Sequence, residues 1–139
     1  MLHAALILAL ALQVKTPCNS TFVQNSWVLL KDARWGQIPY EHAAFAVLDP
    51  DGRVRFVTWQ YEHTALAAEY SGSVPANTFA IVHTHPNNRP MPSDDDRATA
   101  RRLGIYVYVL TRTAITRTAG ARSEFVLLGD WNPERCSRR

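Results

Sequence analysis

The sequence predicts a single α/β domain in which a mainly antiparallel, mixed sheet is flanked by helices. Three observations carry this. Two strand-like runs, residues 43–48 and 53–59, are joined by Asp49-Pro50-Asp51-Gly52, whose proline and glycine supply turn dihedrals and make the pair a hairpin. Further strand-like apolar runs follow at 79–83, 105–111 and 123–128, too short and too rich in β-branched and aromatic residues for helices. Segments with helix start and stop residues are set before the hairpin and between two of these runs. At 139 residues with 47% hydrophobic side chains, the chain is long enough for one core and has no block that reads as disorder.

In chain order, Asn19 or Ser20 can cap a helix reaching about Ala33, with Phe22, Val23, Trp27, Leu29 and Leu30 broadly on one side and Gly36 and Pro39 ending it. The hairpin follows. Residues 61–77 are less regular and are expected to hold a short helix or strand before Ser73-Val74-Pro75. The strand from Phe79 to His83 leads into a loop from Pro86 to Pro92 with three prolines and two asparagines. Pro92-Ser93-Asp94-Asp95-Asp96 opens a second helix running to about Leu103, which Gly104 ends. A strand at 105–111, a turn near Thr118-Ala119-Gly120 and a last strand at 123–128 complete the order helix, hairpin, strand, helix, strand, strand.

Charge and cysteine usage bound the partners. The 15 basic and 12 acidic residues leave a net +3, with the excess in Arg97, Arg101, Arg102, Arg112, Arg117, Arg122, Arg135, Arg138 and Arg139. A nucleic-acid surface is the sharper reading of that bias. No basic stripe is interleaved with aromatics, however, so solvated helix and turn arginines plus a loose basic tail at 132–139 are the favoured one.

Residues 1–12 form an apolar run of signal-peptide length with an Ala9-Leu10-Ala11 cleavage-like triplet, shorter than the roughly 20 residues a membrane span takes. The expectation is an export signal and tail over 1–19, a domain over 20–131, and a secreted or periplasmic protein with no stable membrane span. The alternatives are a buried N-terminal element and a cytoplasmic location. Cys18 and Cys136 are the two cysteines, one near each end, with no metal or redox spacing; in an oxidising compartment they could join the termini.

The chemistry is concentrated at His83-Thr84-His85, followed after seven residues by Ser93 and three further on by Asp96. On a strand, residues two apart share a face, so His83 and His85 can converge on one metal ion while Thr84 turns away. Two imidazoles and a carboxylate form an open zinc set whose fourth position is left for water. Ser-x-x-Asp at a helix start is also a capping box, with Ser93 at the N-cap and Asp96 reaching back, and both readings stand together. Asp94 and Asp95 are first-turn acids suited to the helix dipole.

At every fixed position this spacing resembles the motif of the JAMM (MPN-type) zinc metalloproteases, the JAB domain family, over roughly Phe22 to Leu128. The resemblance implies a JAB/MPN-like, cytidine-deaminase-like sandwich. It implies Zn2+ held by His83, His85 and Asp96, and the catalytic pair Glu41 and Ser93. In the family a glutamate opens a strand of a hairpin, which selects Glu41 over Glu62; the glycine that usually follows it is replaced here, with Ala44 the nearest small residue. The implied mechanism is amide hydrolysis. Zinc lowers the pKa of a bound water from about 15.7 to about 7, Glu41 carries the proton to the leaving amine, and Ser93 donates to the oxyanion. The implied partner is a peptide or an isopeptide-linked protein.

A second resemblance is to the metal-motif region of RadC-like proteins, on His83-Thr84-His85-Pro86, Pro92-Ser93, Asp96 and Arg101-Arg102-Leu103-Gly104-Ile105. It implies a DNA-associated or non-catalytic binding module. His3, His42 and His63 read as core or edge histidines, and Trp27, Trp35, Trp59 and Trp131 as core or lid packing.

Overall fold

In the computed structural model, which describes residues 20–39, 41–59 and 73–136, a six-stranded sheet of order β2-β1-β3-β4-β5-β6 forms the centre. The elements are α1 (Thr21–Asp32), β1 (Ala43–Leu48), β2 (Val54–Thr58), β3 (Thr78–Thr84), α2 (Asp94–Leu103), β4 (Tyr106–Thr111), β5 (Ala114–Thr118), β6 (Ser123–Leu128) and the short α3 (Pro133–Cys136). All neighbouring strands run antiparallel except β3 and β4, which α2 connects as a parallel pair. The single-domain α/β expectation of a mainly antiparallel mixed sheet with helices holds.

Strand parity divides the core. Ala44, Ala46, Ala80, Val82, Tyr108 and Leu110 share one face with the buried side of α1, Phe22, Val23, Leu29 and Leu30. Ala43, Phe45, Val47, Ile81 and Val107 share the other face with Ala100 of α2. Each central strand is therefore apolar on both sides, which is why 43–48 and 79–82 read as continuous apolar runs rather than alternations. Ser20 caps α1 through Val23 N–H at 3.1 Å. Gly104 ends α2 in the left-handed region at φ 66°, where a side chain would be strained.

One strand differs from the sequence reading. Residues 114–118, for which no strand was expected ahead of the turn near Thr118-Ala119-Gly120, form β5 between β4 and β6. Its segment Ala-Ile-Thr-Arg-Thr is polar in composition yet buried throughout. Arg117 makes this tolerable: its guanidinium hydrogen-bonds Tyr108 Oη at 3.2 Å, pairs with Glu124 and lies 4.4 Å from the centre of the Tyr106 ring. A strand whose polar members are satisfied internally carries no apolar periodicity to read.

Candidate metal centre

The site is built by the register of β1 on β3. Ala43 pairs with His83, and the antiparallel pairing continues past the end of β1, where Thr84 N–H donates to the His42 carbonyl at 2.9 Å. Glu41 therefore stands opposite His85, on the same face as Ala43 and His83. Thr84, pointing the other way, accepts the His42 N–H on its Oγ1 at 3.0 Å and fastens the segment that carries Glu41.

Four side chains meet there. The His83 Nδ1 lies 3.2 Å from Glu41 Oε2, and its Nε2 lies 3.0 Å from Asp96 Oδ1. His85 Nε2 is 3.4 Å from Asp96 Oδ2 and 3.7 Å from Glu41 Oε1. Glu41, His83 and His85 can each offer a ligand atom, all within 4.8 Å of one another, a Glu/His/His group consistent with a metal ion without identifying which. His85 is oriented by its Nδ1–H, which donates to the Arg89 carbonyl at 2.9 Å and leaves the Nε2 lone pair facing the cluster.

The electrostatics ask for a cation. Burial works against a charged His83, but the carboxylates of Asp96 and Glu41 outweigh it and lift this imidazole to about 10. Burial likewise works against the Asp96 anion, yet the close ring nitrogens of His83 and His85, at 3.0 and 3.4 Å, together with the Ser93 N–H, hold its carboxyl far below the usual range. Two carboxylates facing one small space are balanced by a proton on His83 or by a bound cation. His83 Nε2 is buried without a well-aligned hydrogen bond despite its 3.0 Å approach to Asp96, as suits an atom directed at a metal rather than at an acceptor. The donor set of two imidazoles and hard carboxylate oxygens fits a divalent ion such as zinc.

Ser93 and Asp96 form the capping box of α2. Asp96 N–H donates to Ser93 Oγ at 3.1 Å, and Ser93 N–H donates to Asp96 Oδ2 at 2.7 Å. The same carboxylate thus anchors the helix start and faces both imidazoles. Ser93 Oγ accepts in this bond, which leaves its own hydrogen to be donated elsewhere. A cleft of about 120 Å³ opens beside the cluster, with Trp59, Ile81 and Val107 on its apolar side and Ser93, Asp95 and Thr99 on its polar side.

The loop behind the ligands contains residues the sequence did not single out. Asn87 and Asn88 both adopt positive φ, at 60° and 52°. Asn88 donates to the Trp35 carbonyl at 3.0 Å and accepts from Arg112 N–H at 3.3 Å, tying this loop to the 3-10 turn Arg34–Gly36 that follows α1 and to the β4–β5 turn. Gly36, at φ +78°, lets that end come close: a Cβ there would sit 2.9 Å from Asn88 Oδ1 and 3.1 Å from the His85 carbonyl. The paired asparagines between prolines were the available signal, since asparagine tolerates the left-handed region better than other side chains.

Of the residues expected from sequence, Glu41, His83, His85, Ser93 and Asp96 all line or form this one site. Glu62, His3, His63 and Cys18 lie outside the described residues. His42 is half-buried; burial lowers its pKa, while the charge of Asp32 pulls the other way.

A family model described as prokaryotic homologs of the JAB domain matches residues 25–126. No curated protein and no solved structure gives a significant match. The matched span takes in the four clustered side chains, the hairpin between Glu41 and His83 and the helix that carries Asp96. The six-stranded mixed sheet with its flanking helices is consistent with the JAB/MPN-like fold, and the chain belongs to the family of prokaryotic JAB-domain homologs.

Proposed function

We propose that the chain is a zinc metallopeptidase or isopeptidase in which His83, His85 and Asp96 hold the metal and Glu41 and Ser93 assist catalysis. The observation that carries this is the convergence of Glu41, His83, His85 and Asp96, from three separate segments, on one buried spot beside an open cleft. Bound zinc would supply Lewis-acid polarisation of the scissile carbonyl and a lowered pKa for the attacking water.

Glu41 takes the proton of that water and delivers it to the leaving amine. Its carboxylate is held in reach by the Thr84 clamp on His42 and by the His83 Nδ1 contact at 3.2 Å. Ser93 donates its hydroxyl hydrogen to the oxyanion as the carbonyl becomes tetrahedral. Trp59, Ile81 and Val107 exclude water from one wall, and the cleft of about 120 Å³ accommodates a small side chain next to the scissile bond. His85 is kept in its ligating tautomer by the Arg89 carbonyl.

A polypeptide substrate is favoured over nucleic acid, because several of the C-terminal arginines have structural partners. Arg97 bonds the Pro92 carbonyl and Asp94, Arg101 bonds the Gly120 carbonyl, Arg117 is buried, and Arg135 pairs with Asp130. No helix among the described residues is long and apolar enough to cross a membrane. The apolar N-terminal run supports export, and with it an envelope or extracellular peptide as substrate.

The test is incubation of zinc-loaded protein with a peptide library and with isopeptide-linked conjugates. Cleavage that stops with a chelator, returns with zinc and falls at least about 100-fold in Glu41→Gln at unchanged zinc content is expected. Cleavage unaffected by Glu41→Gln would assign the proton transfer to another group, and a zinc-loaded chain that cleaves nothing would favour the non-catalytic module.

A further inference from the structure

The metal cleft is not the only cavity among the described residues. A depression of about 740 Å³ lies at the carboxyl ends of the parallel strands β3 and β4, where ligand crevices of α/β sheets commonly form, and it shares no lining residue with the metal cleft. Its apolar wall is Trp27 and Trp35, half-buried rings with centroids 4.8 Å apart. Trp27 is backed by Trp131, also at 4.8 Å, whose Nε1–H is anchored on the Thr111 carbonyl at 2.7 Å. The rings are therefore fixed before any ligand arrives.

The rim is charged. Lys31 and Arg112 are exposed and, among the described residues, have no acidic partner, whereas Arg135 is paired with Asp130. The lining also contains carboxylates, those of Asp130 and Glu134, together with Asn132. That combination discriminates between ligands. A polyphosphate concentrates several negative charges at one point, whereas the lining leaves only Lys31 and Arg112 to meet them, Arg135 being offset by Asp130 and Glu134 adding a negative charge. An extended polypeptide can place one acidic side chain on Lys31 and Arg112 and lay an aromatic side chain on Trp27 and Trp35, while Asp130 and Asn132 are occupied by Arg135 and by the Asn132 and Glu134 N–H groups.

We propose that this depression is a docking site for an acidic polypeptide segment carrying an aromatic side chain. It does not depend on the hydrolase reading, because the site shares no lining residue with the metal cleft and can be assayed by binding alone. Its position does link the two sites: Asn88 lines the depression, and its N–H donates to the His85 carbonyl at 3.3 Å. An occupant pressing on Trp35 or Asn88 touches the loop that orients a metal-facing imidazole.

The test uses the tryptophans as reporters. Full-length protein is titrated with a short peptide of phenylalanines flanked by glutamates while intrinsic tryptophan emission is followed. The expected result is a saturable change in emission, weakened at least tenfold in Lys31→Glu/Arg112→Glu and progressively lost as salt approaches 1 M, where the screening length is about 3 Å. Both substitutions are at exposed positions, and an unchanged circular dichroism spectrum is the check on folding. A peptide with lysines in place of the glutamates should not bind. Binding that ignores the double substitution, equal binding of the basic peptide, or tighter binding of adenosine monophosphate or inorganic phosphate would overturn the assignment.

Discussion

Ser93 is an observed helix cap with a proposed catalytic role, two functions that a single alanine substitution would confound and that the structure suggests how to separate. Its Oγ accepts Asp96 N–H at 3.1 Å as the N-cap of α2, and its own hydrogen is the donor assigned to the oxyanion. Ser93→Ala removes both and should cost about 1 kcal/mol of stability, a fall of about 4 °C in melting temperature for a domain of this size. Ser93→Gly removes the hydroxyl too, but glycine is itself a tolerated N-cap, so only a few tenths of a kcal/mol should be lost. The other half of the capping box, Ser93 N–H to Asp96 Oδ2 at 2.7 Å, involves only backbone at residue 93 and survives both changes. Loss of an oxyanion donor lowers kcat by about 100- to 1,000-fold. Thermal melts and turnover of a fluorogenic peptide cleaved by the parent chain should therefore diverge: both variants slow by at least about 100-fold, with only Ser93→Ala clearly destabilised. Parental turnover in Ser93→Gly would reduce Ser93 to a helix cap.

The remaining predictions concern the metal, pH and the termini. Protein purified without chelators should carry about one zinc per chain by elemental analysis, and His83→Ala/His85→Ala should carry none; equal zinc in both would remove the site. In the metal-free chain His83 has its pKa raised to about 10 from 6.5, so its contribution to stability is fully present below about pH 6.5 and is lost as pH rises through about 10. Asp96 is depressed, so its contribution is present above the ordinary carboxylate range and is lost on acidification. Zinc should shift the stability optimum upward in pH, since it requires neutral imidazoles, and denaturation midpoints with and without metal read this directly. Cys18 and Cys136 are expected to be bonded in exported protein, worth up to about 4 to 5 kcal/mol in the chain-entropy model. Unreduced protein from its native compartment should then be lighter by two hydrogens and begin beyond about Ala11, whereas free thiols on a chain starting at Met1 would return the protein to the cytoplasm and favour the RadC-like alternative.

The parts of this site that could be read from sequence are those whose geometry is local. His83 and His85 share a face because strand parity requires it, and Ser93 with Asp96 is a capping box within one turn of helix. Glu41 is different, because its approach to His83 follows from the register of β1 on β3, a contact across 42 residues that no periodicity encodes. Resemblance of the motif selected it, and the pairing of Ala43 with His83 supplies the physical reason. Thr84, read as simply facing away, uses that opposite face to hold the His42 backbone, so the alternation that presents two imidazoles also provides the clamp behind Glu41. Strand β5 was illegible because Arg117 satisfies its charge inside the core, against Tyr108, Glu124 and the Tyr106 ring. Asn88 was legible only as a turn residue: its two side-chain bonds reach residues 35 and 112, and its value lies in joining three segments that only the folded chain brings together. Chemistry was visible where ligand types recur at strand or helix spacing. The support that makes them a site is long-range, and it appears only when the register of the sheet is known.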